Sequence, residues 1–263
     1  MAEVIGVNAE TVRENLHKMG KRYLVNSWIP HHLTDDNKLR RRTVCEHLLE
    51  MYQDKDFLMQ LITVDEVWIY WENDQRSYLN RSWVTPGGDG VTSVRTTSMT
   101  TKKHMVSVFW DAHGILLVDV LSTGAHINAE KYCQQLEKMK QAVYEKRRCA
   151  SLTDFYFLQD NARSHTAYLT KKKLQELQIN VLEHPPYSPD LSPSDFYLFS
   201  PMKLAVHGKK YDNASDIMND IHEWFNSKNQ NFYSKAFELL PTRWEKCVKA
   251  NGDYFQHLAD CDE

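Results

Sequence analysis

Acidic side chains recur at three places where the chain leaves or interrupts an apolar segment. Asp65 interrupts the apolar stretch FLMQLITVDEVWIYW, and Asp160 closes the stretch FYFLQ. The segment HPPYSPDLSPSDFYLF, from His184 to Phe199, holds two further aspartates, Asp190 and Asp195. A buried carboxylate loses hydration that apolar surroundings do not replace, so it needs a cation or a hydrogen-bond donor as a partner.

Three such carboxylates, brought together, suit two-metal phosphoryl chemistry. Two divalent cations roughly 3.5–4 Å apart activate a water or a 3′-hydroxyl on one side of a phosphate and stabilise the leaving oxygen on the other. Mg²⁺ prefers hard oxygen ligands, which Asp and Glu supply. We therefore predict a site for two Mg²⁺ or Mn²⁺ ions, because the clustered carboxylates would repel one another without them.

The first two acids also have purely structural interpretations. Asp65 fits a structural role, either in an ion pair with a core arginine or as the cap of a strand end, as well as it fits a role in a site. Asp160 precedes NARSH, which opens a helix, and an aspartate there can cap the free N–H groups. Glu66 follows Asp65 directly, but neighbouring strand side chains point to opposite faces, so only one of the two should face a given site.

The third acid is a choice between two aspartates. In SPDL, Asp190 fits a turn in which its carboxylate bonds to nearby backbone N–H groups. In SPSDFYLF, Ser192 or Ser194 would cap a helix that begins at Asp195 and would place that carboxylate on the first turn. These patterns favour Asp195 slightly and leave the choice open.

The elements that must position these acids alternate between strand and helix. A β-branched and aromatic stretch ends near Trp71, and HMVSVFWDAHGILLVDVL predicts a hairpin with its turn at DAHG. Short strands are predicted in DFYFLQD and INVLEH. Helices are predicted at about 38–52, 127–148, 164–178, 215–227 and 231–249. This order predicts an α/β domain with a mixed central sheet flanked by helices.

Length and composition are those of a folded intracellular protein. The chain has 263 residues, 42% of them apolar, and a formal charge of −3 that neither requires nor excludes a nucleic-acid partner. Its five cysteines show no CxxC or zinc-ligand spacing, which predicts reduced thiols. We find no signal peptide and no apolar run long enough to span a bilayer, so no membrane partner is expected.

The N-terminal segment has the pattern of a partial helix-turn-helix. Its basic face, Arg13, His17 and Lys18, resembles that of a recognition helix, although a basic helix packed on the main domain is the alternative. Pro30 then bars a continuous helix and indicates a linker. We accordingly predict a DNA-binding remnant at 1–27, a linker and helix at 28–55 and a catalytic domain at 56–263.

Several blocks of this sequence resemble those of the mariner family of DNA transposases, in the family order. They are WIPHHL, TVDEVW, LQDNARSHT, HPPYSPDLSPSDFYLF and RWEKCVKANGDYF. The family has an RNase H-like catalytic domain with 34 residues between its second and third acids. Here 34 residues separate Asp160 from Asp195, and 29 separate Asp160 from Asp190. The resemblance thus implies a catalytic and metal-binding triad of Asp65, Asp160 and Asp195.

The resemblance also implies an activity and partners. A nuclear enzyme of this kind cleaves double-stranded DNA at the inverted-repeat ends of an element and joins the freed 3′-hydroxyl to a TA target, working as a homodimer. Arg163 and His165 beside Asp160 are candidates for phosphate contacts, and so are Lys171–Lys173, although a solvated helix face is the better interpretation of those lysines. The alternative is a catalytically weakened or host-adopted DNA-binding derivative.

Three departures from the family pattern bear on activity. Gln159 stands where the family usually has His, and Val64 where Gly is common. Of the family's two helix-turn-helix modules, only the end of the second is present, roughly Ala2–Met19, so we expect weak recognition of transposon ends.

Overall fold

The sheet contains five strands in the order β3-β2-β1-β4-β5 and runs in both directions. β1 pairs antiparallel with β2 and parallel with β4, so it lies at the centre. β3 extends the antiparallel half and β5 the parallel half. The strands are β1 Leu61–Tyr70, β2 Lys103–Asp111, β3 Gly114–Val120, β4 Tyr156–Leu158 and β5 Asn180–Leu182. The predicted mixed sheet is confirmed.

The structure, a computed structural model, describes residues 31–52, 55–70, 103–121, 124–149, 151–206, 209, 211 and 213–255. The described residues fall within one unit, Pro30–Phe255; the second unit, Met1–Ile29 with Gln256–Glu263, lies outside them. The α-helices are α1 Asp35–Met51, α2 Lys55–Met59, α3 Ala129–Arg147, α4 Arg163–Thr166, α5 Tyr168–Glu176, α6 Phe199–Ala205, α7 Ala214–Asn226, α8 Gln230–Glu238 and α9 Leu240–Lys249. None of the helices in these ranges is both long and apolar enough to cross a bilayer.

Helices cover both faces of the sheet, and the alternation of β1 shows how. Leu61 and Val67 on one face belong to the larger core, which includes residues of α1 and α6–α9. Ile62 and Val64 on the other face pack in the smaller core with α3 and α5. The central strand is therefore apolar on both faces, as expected for a strand between two helical layers. Asp65 and Glu66 are only half-buried at the point where this pattern is interrupted.

Local sequence explains where the predicted elements begin. Thr34 caps α1 by accepting a hydrogen bond from the Asn37 N–H at 3.2 Å. The predicted hairpin is confirmed, and its turn is held by Asp111, whose Oδ1 accepts from the N–H groups of His113 and Gly114. Gly114 has φ of +131°, which favours glycine.

Three helix predictions need correction. The helix predicted at 164–178 is broken at Ala167, whose ψ of 149° is extended, and the hydroxyl of Thr170 bonds instead to the Ser164 carbonyl at 2.6 Å. The helix predicted at 231–249 is two helices, because Pro241 in the first turn of α9 has no N–H to continue α8. Apart from the helix predictions, the apolar stretch before Trp71 begins with the short helix α2 and continues as β1.

The third correction concerns the segment around Asp195. A 3₁₀ turn, Pro189–Leu191, is followed by a π-helical turn, Ser194–Leu198, that leads into α6. No side chain caps it. The Ser194 hydroxyl instead accepts a hydrogen bond from Trp110 Nε1 at 3.0 Å, deep in the core. This buried bond and the wide π-helical turn together set the position of Asp195, which is the second residue of the turn.

Candidate active site

Three elements bring the predicted carboxylates together at one edge of the parallel half of the sheet. Asp65 lies in β1, Asp160 lies two residues beyond β4, and Asp195 lies on the π-helical turn. The carboxyls of Asp65 and Asp195 are within hydrogen-bonding contact, and Asp160 is close enough to affect the pKa of both. Ser192 reaches the same cluster, because its hydroxyl donates to Asp65 Oδ2 at 3.4 Å.

The electrostatics of Asp65 and Asp195 are those of crowded acids. Burial, followed by the charges of Asp195 and Glu66, raises the pKa of Asp65 well above its usual value. Burial also raises the pKa of Asp195, although the hydrogen bond with Asp65 and the charge of Lys203 oppose the rise; the charge of Asp160 adds to it. Two neighbouring acids with raised pKa values cannot both ionise readily unless a cation compensates them.

Asp160 differs from Asp65, whose Oδ1 accepts from the Glu66 N–H at 2.7 Å, because it also has a cationic partner. Its Oδ1 lies 2.6 Å from His165 Nδ1 and accepts from the Ala162 N–H at 2.9 Å. The ring N–H is poorly aligned with that oxygen, so the His165 contact is an ion pair more than a hydrogen bond. Burial opposes these contacts, but they lower the pKa of Asp160. The bond from the Ala162 N–H closes a local turn before α4, whose first residues have no side-chain cap, so the capping interpretation of Asp160 is wrong.

Glu66 is also part of this neighbourhood, which the strand alternation did not predict. It faces the other side of β1 from Asp65, yet its Oε1 lies 3.3 Å from His165 Nε2. The imidazole thus touches carboxylates on both sides. Burial alone would lower the pKa of His165, but Asp160 and Glu66 outweigh it and raise the pKa to about 9.

Asp190 has a structural role. Its carboxylate forms a two-point ion pair with the Arg41 guanidinium, at 2.8 and 2.6 Å, and both side chains are essentially inaccessible to solvent. Arg243 also donates to the Asp190 carbonyl at 2.9 Å. The sequence had suggested that this carboxylate bonds to backbone N–H groups of its own turn. It pairs instead with an arginine of α1. It is not available to a metal.

The two unusual residues beside the acids have ordinary packing roles. Gln159 Oε1 accepts a hydrogen bond from the Tyr132 hydroxyl at 2.6 Å. Val64 is 2% exposed and packs in the smaller core. Tyr132 lies in α3, and nothing in the sequence indicates that its hydroxyl would reach the residue next to Asp160.

The predicted DNA contacts fall into different groups. Arg13, His17 and Lys18 lie outside the described residues, so that prediction stays open. Arg163 is exposed beside Asp160, whereas His165 is 1% exposed and offers no surface to a phosphate. Lys173 is paired with Glu137 and Glu176, which favours a solvated helix face for the Lys171–Lys173 cluster. Lys203, exposed on α6 near Asp195, is a basic residue that the motifs did not single out.

The donor set fits divalent magnesium or manganese. It consists of carboxylate oxygens, and the pKa values of Asp65 and Asp195 show a need for compensating positive charge. Among the described residues, no three His, Cys, Asp or Glu side chains are already arranged around one point as metal ligands. Asp160 Oδ1 contacts His165 and Ala162, and its Oδ2 makes no hydrogen bond within the described part of the chain.

Comparisons with known proteins agree with this geometry. A family model described as a transposase with a partial DDE domain matches residues 70–152. The Mos1 mariner transposase of Drosophila mauritiana is 36% identical over 262 residues, which are 97% of this chain and 74% of that protein. Human histone-lysine N-methyltransferase SETMAR is 35% identical over 256 residues, 97% of this chain and 37% of that protein.

Solved structures show the same relationship. The Mos1 paired-end complex with left transposon end is 38% identical, with a TM-score of 0.84 over 97% of this chain and 74% of that one. The mariner Mos1 paired end complex with Mg matches equally well, and so does the complex with Mn. The five-stranded mixed sheet between helical layers is thus an RNase H-like catalytic domain, and the chain belongs to the mariner family of transposases.

Proposed function

We propose that this chain is a metal-dependent DNA strand-cleaving and strand-transferring enzyme. One observation carries the proposal: the carboxyls of Asp65 and Asp195, distant in sequence, lie together with raised pKa values, and Asp160 is close enough to affect both. The relatives' names support it, since Mos1 is a mariner transposase.

Asp65, Asp160 and Asp195 would hold two Mg²⁺ or Mn²⁺ ions. When bound, such ions supply activation of a water or 3′-hydroxyl and stabilisation of the leaving oxygen of a phosphate. The chain's own residues supply the placement of the three carboxylates. Ser192 bonds Asp65, His165 holds Asp160, and the buried Trp110–Ser194 bond fixes the turn that presents Asp195.

The proposed substrate is double-stranded DNA, cut at inverted-repeat ends and joined to a TA target, with the chain acting as a homodimer in the nucleus. The Mos1 structures that match are paired-end complexes with transposon DNA, which supports both the substrate and a dimeric assembly. Arg163 is exposed beside Asp160 and Lys203 near Asp195, so both are placed to contact phosphates that flank the scissile bond.

A nicking assay tests the proposal. A DNA duplex with candidate transposon ends is incubated with Mg²⁺ or Mn²⁺ and either this chain or its Asp160→Ala variant. We expect nicks near the ends from the unmodified chain only. The Lys172→Ala variant, on a solvated face, is the matched control and should cut normally. Equal products from the unmodified chain and the Asp160→Ala variant would exclude catalysis at this site.

A second candidate is a host-adopted derivative that binds DNA without transposing. Its support is the equal similarity to SETMAR, whose name is that of a methyltransferase, so a chain of this family occurs within a protein of another activity. The three intact acids favour the enzyme. DNA binding with no nicking in Mg²⁺ or Mn²⁺ would favour the derivative.

A further inference from the structure

His165 is a buried, polar residue whose role the metal chemistry does not explain. It lies on the single-turn helix α4, its side chain is inaccessible to solvent, and the Tyr132 ring packs on it with 4.1 Å between ring centroids. The prediction that it contacts DNA phosphate therefore has no exposed surface to support it. A buried imidazole in this position acts on its protein neighbours.

Those neighbours are two carboxylates on different strands. Nδ1 lies 2.6 Å from Asp160 Oδ1, just beyond β4, and Nε2 lies 3.3 Å from Glu66 Oε1, in β1. Because both ring nitrogens are engaged, the ring cannot turn without losing one contact. Glu66 is itself only 15% exposed at its side chain, so it is a fixed anchor.

The aromatic residue behind the ring is held as well. The Tyr132 hydroxyl donates to Gln159 Oε1 at 2.6 Å, and Gln159 is the residue directly before Asp160. The Tyr132 ring thus confines the imidazole on one side. The position of that ring depends in turn on Gln159, the chain neighbour of Asp160. This connection gives the unusual Gln159 a place in the same arrangement.

We propose that His165 is a positioning residue that fixes which oxygen of Asp160 faces the metal ions, with Glu66 as its anchor. By occupying Oδ1, it leaves Oδ2 as the oxygen that can serve as a metal ligand. The inference rests on the proposed function, since it takes Asp160 to be a metal ligand. Partners that orient a metal ligand in this way typically account for about 10–100-fold in metal affinity.

Two amide substitutions separate the two ring contacts. In His165→Asn the side-chain NH₂ lies where Nδ1 was and can still meet Asp160. In His165→Gln the NH₂ lies where Nε2 was, so the contact to Glu66 survives and that to Asp160 is lost. Both variants remove the imidazole and its stacking on Tyr132, so loss of the ring affects them alike.

The measurement is Mn²⁺ binding to the full chain, followed by the EPR signal of free Mn²⁺, with folding of each variant verified by circular dichroism. We expect His165→Asn to bind Mn²⁺ within about threefold of the unmodified chain and His165→Gln to bind about 10–100-fold more weakly. Nicking at saturating Mn²⁺ should recover in His165→Gln, because the defect is in holding the ion. His165→Met replaces His165→Gln if the latter does not fold.

Equal Mn²⁺ affinity in the unmodified chain and His165→Gln, or equal losses in both amide variants, would overturn the positioning role while leaving the metal site intact. Asp195→Asn tells the two proposals apart. If it binds Mn²⁺ as well as the unmodified chain does, the metal site itself is wrong, and the positioning role is overturned with it.

Discussion

Replacing aspartate by asparagine should affect folding stability in opposite ways at Asp190 and at Asp195, although the two residues are only five positions apart. The Asp190 carboxylate and Arg41 are both buried and paired at two points. Asp195 keeps part of its surface in solvent, but its carboxyl lies among the other acids, where burial raises its pKa. Asp190→Asn removes a charge that the fold needs, whereas Asp195→Asn removes one that the metal-free fold tolerates poorly.

The magnitudes follow from burial. Removing one partner of a buried ion pair typically costs about 3–5 kcal/mol, because the other charge is left without compensation. The asparagine oxygen still accepts one hydrogen bond, and Arg41 keeps its contacts with the Gly252 carbonyl at 2.8 Å and the Ser188 hydroxyl at 2.6 Å. We therefore expect a loss near the lower end, about 3 kcal/mol, for Asp190→Asn. For Asp195→Asn we expect a change within about 0.5 kcal/mol, or a small gain.

The assay is urea unfolding at pH 7, followed by circular dichroism, first with EDTA and then with Mg²⁺. A ligand that binds only the folded state raises stability, so Mg²⁺ should stabilise the unmodified chain and Asp190→Asn. It should not stabilise Asp195→Asn. A large loss in Asp195→Asn together with a neutral Asp190→Asn would refute the assignment of the two residues.

Two further predictions concern pH and the backbone. Because the pKa of Asp65 is raised, the metal-free folded state retains a proton that the unfolded chain releases above about pH 4. The stability advantage of Asp65→Asn over the unmodified chain should therefore grow as the pH rises from about 4. Urea titrations in EDTA measure this difference, and a difference that shrinks with pH would contradict the prediction. Gly252→Ala should lower the free energy of unfolding by at least about 2 kcal/mol, because φ is +81° and an added Cβ would lie 1.8 Å from the Lys38 carbonyl oxygen. Thermal unfolding measures the loss. Gly124→Ala, also at positive φ but in open space, is the control and should lose less stability.

The sequence predicts the scaffold well where local signals are strong. The DAHG turn depends on residues within a few positions of one another and is found as predicted, and the Thr34 cap at the start of α1 is equally local. The choice of Asp195 over Asp190 came from the spacing known for the family, since local patterns left it open. The structure shows that the Asp190 carboxylate is engaged by the distant Arg41, which the sequence did not indicate.

The surroundings of the acids were beyond prediction because their partners are far apart in the chain. The hydroxyl of Ser194 fits a local cap, but Trp110, 84 residues away, takes it instead. Glu66 does point away from Asp65 as the strand alternation requires. What the alternation cannot show is that His165, 99 residues later, reaches around the end of β4 to join Glu66 with Asp160.

The most direct test of the central claim is anomalous diffraction at the manganese edge from crystals of this chain grown or soaked in Mn²⁺. We expect two peaks roughly 4 Å apart among the side chains of Asp65, Asp160 and Asp195, with Asp160 approached through Oδ2. Peaks located elsewhere, or a cluster that stays without manganese while its three carboxylates keep their own partners, would contradict it.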